Sequence, residues 1–492
     1  MSSSFCISNP HKICCIGAGY VGVPTMVMIA SKCPFVDITV VDIDSERISA
    51  WNSGNLPIFE PGLAEMLSLC RQNLRFSTNI ATAIQNADIV FVCVNTPTKR
   101  VGLGAGRACD LGPWEQAGRA IACNSFSNKI IVEKSTVPVK TADTLARVLQ
   151  QTRVLPGGSF VIVSNPEFLA EGSAMHDLEF PDRVLIGGPQ SRDGLYAVSI
   201  LVSIYSNWVP MNQIVTTNLW SAELSKLVAN AFLAQRISSI NAVSLICERT
   251  GADIDEVVHA ISFDSRIGAK FLTPSVGFGG SCFRKDILSL VYLCEQLGGL
   301  QPVADYWHQT LLMNEFRKSE FVEQICSKMF ENIFAKKICV LGFAFKKNTS
   351  DIRESPAISV CQQLHNEGAD VHVYDPQVCL LNKDDGLTFH PKPVHAVNKA
   401  HAIVVLTEWD EFKSLPYESF FSLMEKPAFI FDGRNFLNHQ ELKKIGFVVH
   451  SIGKQATSLQ NTPLPENVAD FGFPIDTHSL RHHEQNTPSL GG

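Results

Sequence analysis

Over the first 215 residues, short apolar runs alternate with stretches of helical periodicity. The runs predict strands at Lys12–Ile16, Ile38–Val41, Ile89–Val94, Ile130–Glu133, Phe160–Ser164 and Val184–Ile186. Strands that alternate with helices in this way point to a mainly parallel sheet. Most of the runs end in turn or functional residues: Gly17, Asp42, Asn95-Thr96-Pro97, Ser135-Thr136-Val137-Pro138 and Asn165-Pro166-Glu167. Open α/β sheets bind their ligands just beyond the carboxyl ends of strands, so these positions are the first candidates for a site.

From Asn218 to Arg249 the pattern changes. Neither Pro nor Gly occurs, and Leu224, Leu227, Val228, Ala231, Ile237 and Ile240 recur at helical spacing. This predicts one long helix, about 45 Å at 1.5 Å per residue, acting as a strut between two domains. Further helix is expected at Glu256–Ile261, Asp286–Gln296 and Tyr306–Phe330, interrupted by a Gly-rich loop at Val276–Ser281. The strand alternation then restarts with Lys337–Leu341, a helix at Ala357–Glu367, Val371–Tyr374, Ile403–Leu406 and Phe429–Phe431. The fold class is therefore α/β: two doubly wound Rossmann-like domains joined by a long central helix and a helical middle domain. The expected boundaries are 1–215, 216–333 and 334–453. Residues 454–492, rich in Pro, Ser, Thr, Asn, Gln and His, read as a mobile tail.

Composition narrows the function. A chain of 492 residues suits two to four domains at roughly 100–200 residues each. Its 45% hydrophobic and 18% charged content excludes a fully disordered chain. With 48 acidic against 41 basic residues and a net charge of −7, there is no electrostatic footprint for nucleic acid. No apolar stretch approaches the roughly 18–20 residues that span a bilayer, and Met1 to His11 carry no secretory core, so no membrane is expected. The fifteen cysteines are scattered, with no C-x-x-C pair. That usage fits reduced thiols in the cytoplasm rather than disulfides or a metal site.

Gly17-Ala18-Gly19-Tyr20-Val21-Gly22 follows a strand and opens a helix. Its glycines permit a tight turn, close approach of a pyrophosphate and tight helix packing, and the helix N-terminus attracts the anion. Asp42 closes the next strand twenty residues after Gly22. A carboxylate there binds a ribose 2′-hydroxyl and repels a 2′-phosphate, favouring NAD; Arg47 nearby is the residue type that serves NADP. The later segment Gly342-Phe343-Ala344-Phe345-Lys346 lacks this glycine spacing. It is expected to hold a nucleotide against Phe345 with Lys346 on its phosphates, not a second dinucleotide.

Gly277-Phe278-Gly279-Gly280-Ser281-Cys282-Phe283-Arg284-Lys285-Asp286 carries the chemistry. Cys282 stands near a helix start with basic residues following, features that favour the thiolate. Asp286, one turn on, shares its face and could activate water. Lys226 and Asn230 form an i, i+4 pair inside an apolar stripe of the long helix, suited to stabilising an oxyanion. Glu167 adds a carboxylate at a strand end.

On these segments, together with Asn95–Thr98, Pro181–Gly188, Ser221–Asn241 and Phe431–Arg434, the chain resembles the UDP-glucose 6-dehydrogenases of eukaryotes from Lys12 to about Ile452. The resemblance implies a four-electron oxidation of UDP-glucose to UDP-glucuronate with NAD as cofactor. Cys282 would form a thiohemiacetal and then a thioester, which water hydrolyses. Lys226, Asn230, Asp286, Glu167 and Thr136 would share proton transfer, oxyanion stabilisation and water activation. Gly17, Gly19, Gly22, Asp42, Arg47, Thr136, Glu171 and Arg353 would contact NAD. Glu167, Phe168, Leu169, Lys226, Asn230, Phe271, Leu272, Gly279, Phe345, Lys346 and Arg434 would line the UDP-sugar site. Arg266 would reach into a neighbouring subunit of a homo-oligomer, dimer or hexamer, and the loop Thr98–Asp110 would be mobile and regulatory. Two alternatives stay open: a dehydrogenase of UDP-N-acetylmannosamine or GDP-mannose, and a non-catalytic UDP-sugar-binding relative.

Overall fold

The computed structural model describes residues 5, 11–152, 158–378 and 386–455. The tail expected from residue 454 lies outside the described residues beyond 455.

The first sheet has eight strands: β1 (Lys12–Ile16), β2 (Asp37–Val41), β3 (Leu74–Ser77), β4 (Ile89–Val92), β5 (Lys129–Glu133), β6 (Phe160–Ser164), β7 (Val184–Gly188) and β8 (Ile214–Asn218). Their order is β3-β2-β1-β4-β5-β6-β7-β8. Every pairing is parallel except β6 with β7, which meet antiparallel at Ser164 and Gly187. The central strands β4 and β5 are buried along their whole length, as a sheet covered on both faces requires. Strand order reverses between β1 and β4, which places a ligand crevice at their carboxyl ends.

The second sheet has six parallel strands: β9 (Lys337–Leu341), β10 (Asp370–Tyr374), β11 (Leu387–Phe389), β12 (Ala402–Val405), β13 (Phe429–Asp432) and β14 (Val448–Ser451). Their order is β11-β10-β9-β12-β13-β14, with the corresponding reversal between β9 and β12.

Helices flank the first sheet and link it along the chain to the second. Helix α1 (Gly22–Lys32) follows β1, and α2 (Thr141–Thr152) follows β5. Helix α3 (Leu219–Thr250) is the expected strut, 32 residues long. Asn218 caps its start by accepting the Ser221 N–H at 2.8 Å. Gly251, at φ 85°, ends it in the left-handed conformation. Helices α4 (Phe283–Leu297) and α5 (Gln301–Lys328) pack on α3 around Ala231, Ala234, Ile287, Val291, Ala304 and Leu311. Among the described residues no helix is long and apolar enough to cross a membrane.

Candidate active site

The dinucleotide turn is built from backbone. Gly17 has φ +113°, and a Cβ on it would lie 2.4 Å from the Cys93 carbonyl oxygen, so no other residue fits. The turn runs directly into α1. Asp42, at the end of β2, faces it: Oδ2 accepts the Ala18 N–H at 2.8 Å and Oδ1 accepts the Asp44 N–H at 3.1 Å. Arg47 lies 3.2 Å from Asp42 and 3.4 Å from Asp44, so its guanidinium is already paired with carboxylates. A bare helix N-terminus with an acidic residue opposite fits a dinucleotide that carries no 2′-phosphate.

Cys282 caps α4, and its carbonyl accepts the Asp286 N–H at 2.9 Å, so Asp286 sits one turn along as the spacing predicted. Asn314 on α5 fixes the glycine loop by bonding both backbone groups of Phe278, at 2.8 and 3.1 Å. On the loop's other side the Gly280 N–H donates to the Arg353 carbonyl at 2.9 Å. Gly280 has φ +86°, and a Cβ there would strike the Phe345 ring at 2.9 Å. The thiol loop is thus pressed between the α3–α5 helices and the loop after β9.

The buried face of α3 presents Glu223, Lys226 and Asn230. The Lys226 ammonium lies 3.7 Å from Glu167 Oε1 and 5.2 Å from the centre of the Phe168 ring. Asn230 Nδ2 donates to Asp286 Oδ2 at 2.6 Å, and Lys285 Nζ donates to Asp286 Oδ1 at 2.6 Å. Glu167 thus meets Lys226 and Asn230 meets Asp286, contacts that no local pattern announces. In sequence Lys285 reads as a basic neighbour of Cys282; its place beside Asp286 is the signal for the contact the structure shows.

One expectation fails. The thiol of Cys282 is pushed up from the ordinary value of 9.0, not down. Desolvation by the protein groups around it is the main cause, although the residue itself is exposed to solvent, and the Asp286 charge adds to it, outweighing Lys226 and Lys285, which pull the other way.

The second sheet supplies the opposite wall. Arg434 Nε donates to Glu408 Oε2 at 2.6 Å, while its Nη atoms reach the carbonyls of Gly277 at 3.5 Å and Phe345 at 3.3 Å. Gly279 packs against the backbone of Glu354. Lys346 Nζ lies 5.9 Å from the Phe345 ring centre, and burial lowers its pKa. Glu171 joins the two sheets: Arg353 Nη2 is 3.2 Å away, and Thr349 Oγ1 donates to Glu171 Oε2 at 3.3 Å. Burial, then the Asp351 charge, raise the Glu171 carboxyl to about 8.

Other expected residues stand apart. Thr136 contributes its carbonyl to Thr96 Oγ1 at 2.7 Å and leaves its own side chain half-buried. Leu272 places its side chain in the apolar cluster of Ile240, Cys247 and Ile254, leaving only its backbone for a ligand. Phe271 is exposed at φ 62°. Arg266 is 88% exposed and paired with Asp264 at 2.6 Å, outside the cleft of its own chain. The Thr98–Asp110 loop is folded on itself through a Thr98–Cys109 bridge, and Arg107 pairs with Glu295 on α4. A cavity of about 230 Å³ shares Glu167, Phe168 and Leu169 with the expected sugar site, but Cys282 is not on its wall. Arg183, which stacks on Phe168 at 3.8 Å, lines that cavity; sequence reasoning had not singled it out.

Comparison with known proteins agrees with this geometry. Residues 11–209 match the NAD binding domain of the UDP-glucose/GDP-mannose dehydrogenase family, 220–316 its central domain and 339–439 its UDP binding domain. UDP-glucose 6-dehydrogenase 4 of Arabidopsis thaliana is 56% identical over 468 residues, covering 90% of this chain and 97% of the relative. The chain belongs to the UDP-glucose/GDP-mannose dehydrogenase family. UDP-glucose 6-dehydrogenase 3 of Oryza sativa subsp. japonica is 54% identical with the same coverage. Among solved structures of the family's fold, a UDP-glucose dehydrogenase from Pyrobaculum islandicum superposes with a TM-score of 0.77 at 30% identity, over 88% of this chain and 96% of that one. A UDP-D-ManNAc dehydrogenase from Pyrococcus horikoshii gives 0.75 at 28% identity, over 90% and 99%. As a member of this dehydrogenase family the chain is an oxidoreductase, and NAD is its cofactor.

Proposed function

We propose that the chain oxidises the C6 hydroxymethyl group of UDP-glucose to the carboxylate of UDP-glucuronate through a thioester on Cys282. The observation that carries this reading is one thiol within electrostatic reach of Lys226 and Asp286, which are themselves paired with Glu167 and Asn230. In sum, R–CH₂OH, two NAD⁺ and water give R–COO⁻, two NADH and three protons. Bound NAD, held by Gly17, Gly19, Gly22, Asp42, Thr136, Glu171 and Arg353, supplies the hydride acceptor for each oxidation.

The Lys226 ammonium stabilises the alkoxide as C6 loses its first hydride. Cys282 then adds to the aldehyde carbon, its proton passes to the former carbonyl oxygen, and a thiohemiacetal forms, because the aldehyde cannot give up its second hydride until a nucleophile has added. The charge that Lys226 and Lys285 place near the sulfur favours the thiolate and opposes the desolvation that raises its pKa. Oxidation of the hemiacetal leaves a thioester. Water, oriented by Asp286 and Glu167, attacks its carbonyl; the C–S bond breaks, the acid departs and Cys282 regains a proton. Phe345, Lys346 and Arg434 would hold the uridine diphosphate from the second sheet.

In the same reading the dinucleotide, helical and UDP-sugar parts divide at 1–215, 216–333 and 334–453, and the protein acts in the cytoplasm as a homo-oligomer. Exposed Trp220, Phe232 and Ile246 along α3 support a subunit contact there, and the outward placement of Arg266 suits a residue that serves a partner's site.

The test is stoichiometry with limiting UDP-glucose and excess NAD⁺. Two NADH per sugar together with UDP-glucuronate are expected. One NADH with an aldehyde would remove the thioester step. No NADH from folded protein, but turnover of UDP-N-acetylmannosamine or GDP-mannose, would reassign the substrate.

A further inference from the structure

Glu60 lies between β2 and β3, in Phe59-Glu60-Pro61-Gly62, more than a hundred residues along the chain from Glu167 and Glu171. Its side chain is buried. Oε2 accepts the Gly172 N–H at 2.7 Å, and Oε1 accepts the Ala174 N–H at 2.6 Å. Both oxygens of one buried carboxylate are thus spent on two backbone groups of a single segment, and such charge-assisted bonds are short and directional.

That segment is the one that carries Glu167 and Glu171. Its beginning is pinned by Asn165, whose Nδ2 donates to the Leu185 carbonyl at 2.8 Å and whose Oδ1 accepts from Tyr205 at 2.6 Å. In the middle, the Ala170 N–H donates to Asp177 Oδ2 at 2.9 Å. Its end is pinned by Glu60. Between these anchors Glu167 points to Lys226 and Glu171 points to Arg353 and Thr349. Gly172, the residue after Glu171, abuts the carbonyls of Lys347 and Asn348 in the loop after β9. Glu60 therefore grips the chain where the first sheet meets the wall supplied by the second. Its charge is also felt by Lys346.

We propose that Glu60 is a positioning residue: by holding Gly172 and Ala174 it sets Glu171 against Arg353, and through that contact tunes cofactor binding. This rests on the reading above for the roles of Glu171 and Arg353. A carboxylate that only stabilised the fold would lower the melting temperature without changing how the folded enzyme binds NAD.

The test uses the full chain with Glu60→Gln, Glu60→Ala, Glu171→Gln and the double variant Glu60→Gln/Glu171→Gln. NAD Kd is measured by calorimetry without sugar, kcat and KM with UDP-glucose, and melting alongside. Glu60→Gln keeps the shape and one acceptor oxygen, so it decides the matter if Glu60→Ala does not fold. Expected is a rise of about ten-fold in NAD Kd and KM, with a smaller fall in kcat, and much less than ten-fold when Glu171→Gln is already present, because coupled residues are not additive. An unchanged Kd, a full ten-fold effect on top of Glu171→Gln, or loss of fold in Glu60→Gln would each overturn the proposal. The two readings fail separately. Wild-type protein that leaves UDP-glucose untouched but shows the Glu60 effect on NAD Kd loses the substrate assignment alone, and an active wild type without that effect loses the Glu60 assignment alone.

Discussion

Asn230 donates from α3 to Asp286 on α4 at 2.6 Å, so the helix that carries Lys226 is fastened to the helix that Cys282 caps. A hydrogen bond to a buried charge is worth about 1.5–3 kcal/mol, and among the described residues the Asp286 carboxylate keeps only Lys285 once it is lost. Asn230→Ala is therefore expected to lower kcat by about 10–100-fold, the same energy expressed in the transition state. Steady-state kinetics with a melting curve check this. A loss confined to melting temperature would mean that the bond serves packing and not the reaction.

The direction of the Cys282 shift gives a second prediction. Desolvation and the Asp286 charge raise the thiol above 9.0, so its alkylation by iodoacetamide should accelerate with a midpoint above that pH. Removing a neighbouring negative charge favours the thiolate, hence Asp286→Asn should move the midpoint down. Mass spectrometry of the peptide that contains Cys282 isolates this thiol from the others. A midpoint that stays in place or rises would mean that Asp286 does not act on the sulfur.

Strands covered on both faces are plain in the sequence because most of their side chains must be apolar: β1, β6 and β9 have the bounds their hydrophobic runs predict. The edge strands were not. Ile214–Asn218 exposes Val215 and Thr216, and Leu387–Phe389 is too short to show alternation. The site divides in the same way. The glycine turn with Asp42, the Lys226–Asn230 stripe and the Cys282 loop each occupy one local segment, so spacing alone reveals them. Glu60 on Gly172 and Arg434 on Gly277 join segments more than a hundred residues apart, and only the fold brings them together. The expected thiolate failed for a related reason, because the local basic residues were visible in the sequence while the desolvating walls were not.

Glu171 makes stability depend on pH. Its carboxyl is raised from 4.5 to about 8 in the fold, by burial and then by Asp351. Between these values the folded state binds more protons than the unfolded one, so stability is present at low pH and declines as pH rises from about 4.5 through 8. Glu171→Gln stays neutral and escapes this decline. The stability gap between variant and wild type, measured without cofactor, should widen in favour of the variant by on the order of 1–3 kcal/mol from pH 5.5 to pH 8.5. A gap independent of pH would mean that Glu171 ionises as an ordinary carboxylate.

Arg317 on α5 is wholly buried and pairs with Glu248 on α3 at 2.8 and 3.2 Å. Removing one member of such a pair leaves a buried charge and costs about 3–5 kcal/mol. Glu248 has other partners, since it accepts from Gln324 at 2.6 Å and from the Gly453 N–H at 2.8 Å. Arg317→Met should therefore fall at the lower end, about 3 kcal/mol by urea unfolding. Replacing both charges often restores stability when a pair stands alone. Here Arg317→Met/Glu248→Leu would orphan the Gly453 N–H and the Gln324 amide, each a loss of about 1–3 kcal/mol if it stays buried. The double variant should stay below wild type. Its full recovery would mean that Glu248 holds α5 alone and that the end of the second sheet, at Gly453, gains nothing from it.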